Sequence, residues 1–256
     1  MKLDRKRDAD RFFWIVLIAF LFSASIGEAL SREEPGSFPG PPPGQTPGGR
    51  IAFWAERFIG TPYDEDPQGA YVTRGVIVAD DRMDCMYLVF RSVELALSRS
   101  PDGAVQVALE KRFHHRGSLR GNKVINYEDR FQYGEDMIRS GKWGREVTAT
   151  VGRVVRLPGA RDILFVEALP PAELSKKLGQ LQNGDLLFFI KNPKQRTVGE
   201  IVGHMGIAKV ESQGNPEVYL IHASGAKTRG GVVKKVPLQE YLSRMPFVGV
   251  QITRFD

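Results

Sequence analysis

Three residues of this chain have the type and setting for nucleophilic chemistry: Cys85, His204 and His222. Cys85 follows Asp84, a good helix N-cap. It opens a run to Leu97 in which Cys85, Leu88, Val89, Ser92 and Ala96 fall on one helical stripe. A thiol in the first turn of a helix sits beside unpaired backbone amides and the positive end of the helix dipole. Both favour the thiolate, lowering a reference pKa of about 8.5. The same amides could form part of an oxyanion hole. His204 opens the strand His204-Met205-Gly206-Ile207-Ala208. Alternation puts His204, Gly206 and Ala208 on one face, where two small residues leave room for a helix. His222 ends the strand Val218–His222. A hairpin around Gln213-Gly214-Asn215-Pro216 would turn both histidines toward one helix end, as a base and the group that orients it. Spacing alone leaves two readings open: an activated cysteine, or a small buried side chain with two structural histidines.

The elements that must position these residues are legible in outline. Ile51 to Ile59 reads as a short helix, with Ile51, Trp54, Ala55 and Phe58 on one face, stopped by Gly60-Thr61-Pro62. Glu135 to Ser140 and Ala172 to Leu181 read as further short helices. The pattern then changes to short β-rich runs separated by turn residues: Asp185–Ile190, Val202–Val210, Val218–Ala223, Gly231–Pro237 and Val248–Phe255. Helices first and strands afterwards is the order of an α+β domain with an antiparallel sheet. Asp185 reads as a turn residue before a strand, and His114 and His115 as solvated surface.

The chain has 256 residues, 36 Lys plus Arg against 30 Asp plus Glu, four His and one Cys, with 42% hydrophobic residues. That composition is globular, and the length suits one large domain or two small ones at roughly 100–200 residues each. One cysteine excludes a disulfide framework, and with four histidines it excludes a zinc finger or ribbon. No HExxH pair is present, so a helix-borne zinc protease site is excluded as well. A net charge of +6 is too mild and evenly spread for a nucleic-acid partner, but suits an anionic wall or membrane surface.

The amino terminus reads as an address. Lys2, Arg5, Lys6, Arg7 and Arg11 precede an apolar run from Phe12 to Phe22, and Gly27-Glu28-Ala29 or Ser23-Ala24-Ser25 supplies a cleavage site. The expectation is a signal peptide over residues 1–29, with a signal anchor as the alternative. The apolar run is shorter than the roughly 20 residues that span a bilayer core. Residues 30–49 are a Pro/Gly-rich linker, since 32–49 hold six prolines and five glycines. Residues 50–256 then form the folded domain. A free thiol in an exported chain favours the activated reading of Cys85, because oxidising compartments tend to eliminate purposeless thiols.

The ordered motifs carry the reading further. They are Phe58-Ile59-Gly60-Thr61-Pro62-Tyr63, Asp84-Cys85, Tyr127-Glu128-Asp129-Arg130-Phe131-Gln132-Tyr133, and Gly184-Asp185-Leu186-Leu187-Phe188-Phe189. His204-Met205-Gly206-Ile207-Ala208, Ile221-His222-Ala223-Ser224 and Val236-Pro237-Leu238-Gln239-Glu240-Tyr241-Leu242 follow. Together they resemble the NlpC/P60 superfamily of papain-like cell-wall cysteine peptidases, and more closely its N-acetylmuramoyl-L-alanine amidase-like branch, DUF1460. The resemblance spans residues 51–256.

It implies an α+β papain-like fold, with the nucleophile helix packed on an antiparallel sheet. It also implies Cys85 as nucleophile, His204 as base and His222 as the orienting group. Tyr63 would line the substrate cleft, Asp84 would help fix substrate, and Arg130 and Tyr133 would line the cleft. The partner would be peptidoglycan or its muropeptide fragments, with no metal or cofactor and no nucleic acid. Location would be periplasmic or extracellular, with membrane contact only through the amino terminus. The favoured activity is muramoyl–L-alanine amide hydrolysis through a thioester. A D-glutamyl–diamino acid endopeptidase, a catalytically silent wall-binding module and a thiol acyltransferase remain alternatives. Where the branch continues Asp-Cys with Val-Thr-Phe-Val-Glu, this chain has Met86-Tyr87-Leu88-Val89-Phe90. The change alters the helix turn beside the nucleophile and bears on substrate preference.

Overall fold

The computed structural model describes residues 40–41, 44–211 and 217–256. The signal peptide or anchor and most of the linker lie outside the described residues, as does the turn Gln213–Pro216. Helix α1 runs Pro47–Arg57, four residues ahead of the start read from the sequence. Proline and glycine at 47–49 serve as the helix start: Thr46 caps the first turn, its Oγ1 accepting from Gly49 N–H at 3.1 Å, and Pro47 has no amide to lose. The folded region therefore begins inside the segment read as linker.

Four further helices matter to the site: α2 (Cys85–Ala96), α3 (Pro101–Lys111), α4 (Gly134–Ser140) and α5 (Leu238–Arg244). The helix expected over Ala172–Leu181 is a turn and a half, Pro171–Lys176, followed by a 3-10 turn at Leu178–Gln180. One sheet holds β1 (Arg145–Glu146), β2 (Leu186–Ile190), β3 (Val202–Glu211), β4 (Glu217–Ala226), β5 (Gly230–Pro237) and β6 (Gly249–Arg254). Their order is β1-β6-β2-β3-β4-β5, and every pairing is antiparallel. The expected α+β architecture is observed.

Each face of the sheet has its own cover. Leu187, Phe189, Ala208, Leu220, Val250 and Ile252 point to one face and are buried under Leu238 and Leu242 of α5 and Leu174. Burial of such side chains contributes roughly 1.5–3 kcal/mol apiece. On the other face α1 reaches Lys209 and Lys235 through Glu56, at 2.7 and 3.4 Å, and α2 packs against α1 and β3. This corrects the expected role of Gly206. It lies on the α5 face with His204 and Ala208. A Cβ there would meet the Ile221 carbonyl oxygen at 2.8 Å and His222 Cβ at 3.1 Å. The missing side chain makes room for strand β4, where the expectation was a helix.

Beneath α2 lies a buried ionic network. Glu94 accepts from Arg112 at 2.7 Å and from Arg91 at 3.0 Å, and Arg91 reaches the half-buried Asp80 at 2.7 Å. The Arg112 guanidinium also lies 4.8 Å from the Tyr87 ring centre and donates to the Ile77 carbonyl. Such groups stay ionised in a core only when paired and hydrogen-bonded. The network ties α2 to α3 and to the loop before Cys85. Asp185, read as structural, accepts from Gln182 N–H and forms a bidentate pair with Arg254 at 2.7 Å. His114 and His115 are exposed as expected.

Candidate active site

Asp84 caps α2 by accepting from Tyr87 N–H at 2.9 Å, so Cys85 is the first helical residue. The thiol is free and half-buried. What it meets follows from strand register. Ala208 N–H bonds to Asp185 in the direction of β2, so alternation turns the Met205 and Ile207 amides toward β4. The β3–β4 ladder runs only from Ile207↔Ile221 to Glu211↔Glu217. Met205 N–H is thus left without a strand partner, and its dipole is one of the influences that lower the Cys85 thiol pKa. Helix α2 packs against this strand.

The two histidines meet on the α5 face. His204 Nε2 and His222 Nδ1 are 2.9 Å apart, with the rings edge to face. His204 stacks on Phe189 and Phe247, and Tyr241 of α5 contacts both imidazoles at ring-centre distances of 6.2 and 5.0 Å. Among the described residues no hydrogen bond joins the Cys85 sulfur to either imidazole.

Burial dominates the electrostatics. It holds His204 down to about 3, helped by the neighbouring His222, and His222 down to about 4, helped by Lys234. Both rings are therefore neutral at neutral pH, and one donates to the other. If His204 donates from Nε2, its Nδ1 keeps a lone pair and can accept a proton. The Cys85 thiol is pushed up to about 12, first by burial and then by the Asp84 carboxylate. The Met205 amide, the Lys227 ammonium and the Cys85 amide oppose that rise and do not outweigh it. This reverses the expectation that the helix start would depress the thiol pKa. Loss of hydration costs the thiolate more than the first-turn amides return.

Tyr63 lies against β4. Its ring rests where a Gly225 Cβ would come within 2.4 Å of Cγ, and its N–H donates to the Gly231 carbonyl. Burial raises its phenol, with the Cys85 and Asp84 charges adding to the rise. Arg130 and Tyr133 are placed differently. Arg130 donates to the Tyr127 carbonyl and the Tyr133 ring lies 4.1 Å under Arg161. Neither forms a hydrogen bond or ring contact with Cys85, His204 or His222 among the described residues.

Three groups around Cys85 and the two histidines escape a reading of side-chain types alone. The Met205 amide is invisible because a backbone donor carries no sequence signal. Tyr241 sits in the closing motif and could have been found there. Lys227 follows the β4 strand and donates to Asp84 Oδ2 at 3.2 Å and to the Asp64 carbonyl at 2.9 Å. No group of three or more His, Cys, Asp or Glu that could hold a metal occurs among the described residues.

Solved structures of the same shape carry amidase names. An N-acetylmuramoyl-L-alanine amidase from Bacteroides uniformis superposes with a TM-score of 0.62 at 23% identity, over 82% of this chain and 99% of that one. This chain shares its fold. A Legionella pneumophila protein of family model DUF1460 gives 0.60 at 16% identity, over 81% and 88%. A Bacteroides fragilis structure described as a candidate xylanase gives 0.58 at 22%, over 80% and 100%. No family model and no curated protein matches the sequence.

Proposed function

We propose that this chain is an exported cysteine amide hydrolase of peptidoglycan, of the DUF1460 amidase-like branch of the NlpC/P60 superfamily. The observation that carries the reading is a free Cys85 at the start of a helix packed on β3, the strand that carries His204, with His204 hydrogen-bonded to His222. It is supported by a fold shared with a muramoyl-L-alanine amidase.

In this reading the Cys85 sulfur attacks the lactyl carbonyl of the muramoyl–L-alanine bond while His204 Nδ1 takes the thiol proton. Attack and proton transfer occur together, because neither a free thiolate nor an imidazolium is stable at rest. The carbonyl oxygen becomes an oxyanion facing the first-turn amides of α2. Collapse breaks the C–N bond, and His204 returns the proton to the departing L-alanine nitrogen. Water, deprotonated by His204, then releases the thioester and regenerates the thiol. His222 accepts from His204 Nε2–H throughout and fixes the tautomer, and Tyr241 holds both rings.

Digestion of purified peptidoglycan, with products read by mass spectrometry, tests the bond. Free stem peptides and unmodified glycan are expected. Shortened stems still on glycan would replace the amidase by an endopeptidase. Absence of any Cys85-dependent product would leave a binding module or an acyltransferase.

A further inference from the structure

Lys227 is a charged side chain at the nucleophile that the reaction above does not use. Its ammonium has three N–H groups. One goes to the Asp64 carbonyl at 2.9 Å and one to Asp84 Oδ2 at 3.2 Å, and the nitrogen lies 5.6 Å from the Tyr63 ring centre. The side chain remains 32% exposed, and the third N–H has no partner among the described residues. Its charge acts on the Cys85 thiol, so it stands within electrostatic reach of the reacting sulfur.

The acidic neighbours are already committed. One Asp84 oxygen holds the α2 amide of Tyr87 and the other holds Lys227. The buried Asp64 carboxylate holds the amides of Asp66 and Ala70. Asp84 is therefore occupied internally, and a cationic group of a substrate arriving there would meet the lysine's like charge. The donor left facing outward is an ammonium N–H.

We propose that Lys227 binds a substrate carboxylate beside Cys85 and so selects peptides that carry a free acid at that place. The inference rests on the stem-peptide reading, since stem peptides bear carboxylates on their glutamyl and diamino-acid residues. Lys227 acts in binding, as a specificity residue, and takes no part in proton transfer. A charge-assisted hydrogen bond formed equally in ground and transition states lowers KM and leaves kcat alone.

The test measures kcat and KM on muramoyl peptides with free carboxylates and on the same peptides amidated, for wild type, Lys227→Met and Lys227→Arg. Wild type is expected to favour the free acids through KM. Lys227→Met should raise KM for the free acids about tenfold or more relative to the amidated peptides, so that the wild-type preference between the two disappears. Lys227→Arg should restore most of the preference. A wild type indifferent to amidation overturns the inference even if the methionine variant fails to fold, and so does an equal loss on both substrates. In those cases Lys227 only clamps Asp84 to the Asp64 loop and the hydrolase reading stands. No Cys85-dependent cleavage of either substrate would remove the hydrolase reading, and the inference with it.

Discussion

With the thiol held up to about 12 and His204 held down to about 3, the resting proton stays on sulfur. In the proposed reaction Cys85 is therefore poorly nucleophilic until a base and a carbonyl are both in place. Alkylation by a small reagent should show it. The rate of Cys85 modification by iodoacetamide is expected to climb about tenfold per pH unit from neutrality through pH 10. A plateau by pH 8 would mean a preformed thiolate. The histidines make a second prediction. Unfolded histidine takes up its proton near pH 6.5, whereas folded His222 and His204 do so only near 4 and 3. Between those values the unfolded state binds more protons, so stability rises with pH across that window and is lost as pH falls through it. Denaturant unfolding at pH 4.5 and 6.5 should show the slope, and His222→Gln should reduce it. An unchanged slope in the variant would place the titrating groups elsewhere. At this scale the pairing of His204 with His222 was legible from type and order, and the protonation state of the pair and of Cys85 was not, because burial depends on what packs above them.

At the scale of elements, α2 is held by charges as well as by apolar packing. Removing the Glu94 charge leaves Arg112 ionised in the core with no counter-ion. Glu94→Gln is expected to cost about 3–5 kcal/mol in denaturant unfolding, whereas Asp81→Asn in the exposed pair with Arg74 should cost about 1 kcal/mol or less. Equal effects would contradict the buried role. The strands were readable because alternation and turn residues bound them on both sides. The end of the β3–β4 ladder was not, since a register that stops at Ile207 leaves no mark in composition. α3 and α5 went unseen as helices. Pro101 following Ser100, a cap that accepts from Gly103 N–H at 3.0 Å, was a start signal there to be used. Tyr87 and Phe90 stand where the amidase-like branch has Thr and Glu. Tyr87 spends its hydroxyl on Asp80 and the Ala79 amide, and Phe90 stacks on Trp143. Both side chains are thus spent on contacts within the fold.

Across the whole molecule, the boundary of the folded region is the point at which sequence and structure part most clearly. Proline and glycine were read as linker through residue 49, yet Thr46 and Pro47 begin α1, and Arg50 donates to the carbonyl of Ala96 at the end of α2 at 2.8 Å. A chain starting at Gln45 should melt with the full-length protein. One starting at Ile51 should lose more than about 1 kcal/mol from the missing cap and the missing arginine bond. Identical unfolding of the two would show that the first turn of α1 does not brace α2. No helix among the described residues is long and apolar enough to cross a membrane.

Acid-quenched intact mass spectrometry reads the proposed acylation of Cys85 by a cell-wall amide directly. Muropeptide mixed with the protein and quenched within the first turnover should yield a protein heavier by the acyl group, with the added mass on Cys85. The adduct should be absent in Cys85→Ala and slow to appear in His204→Ala. Turnover that proceeds without an adduct and survives Cys85→Ala would contradict the account.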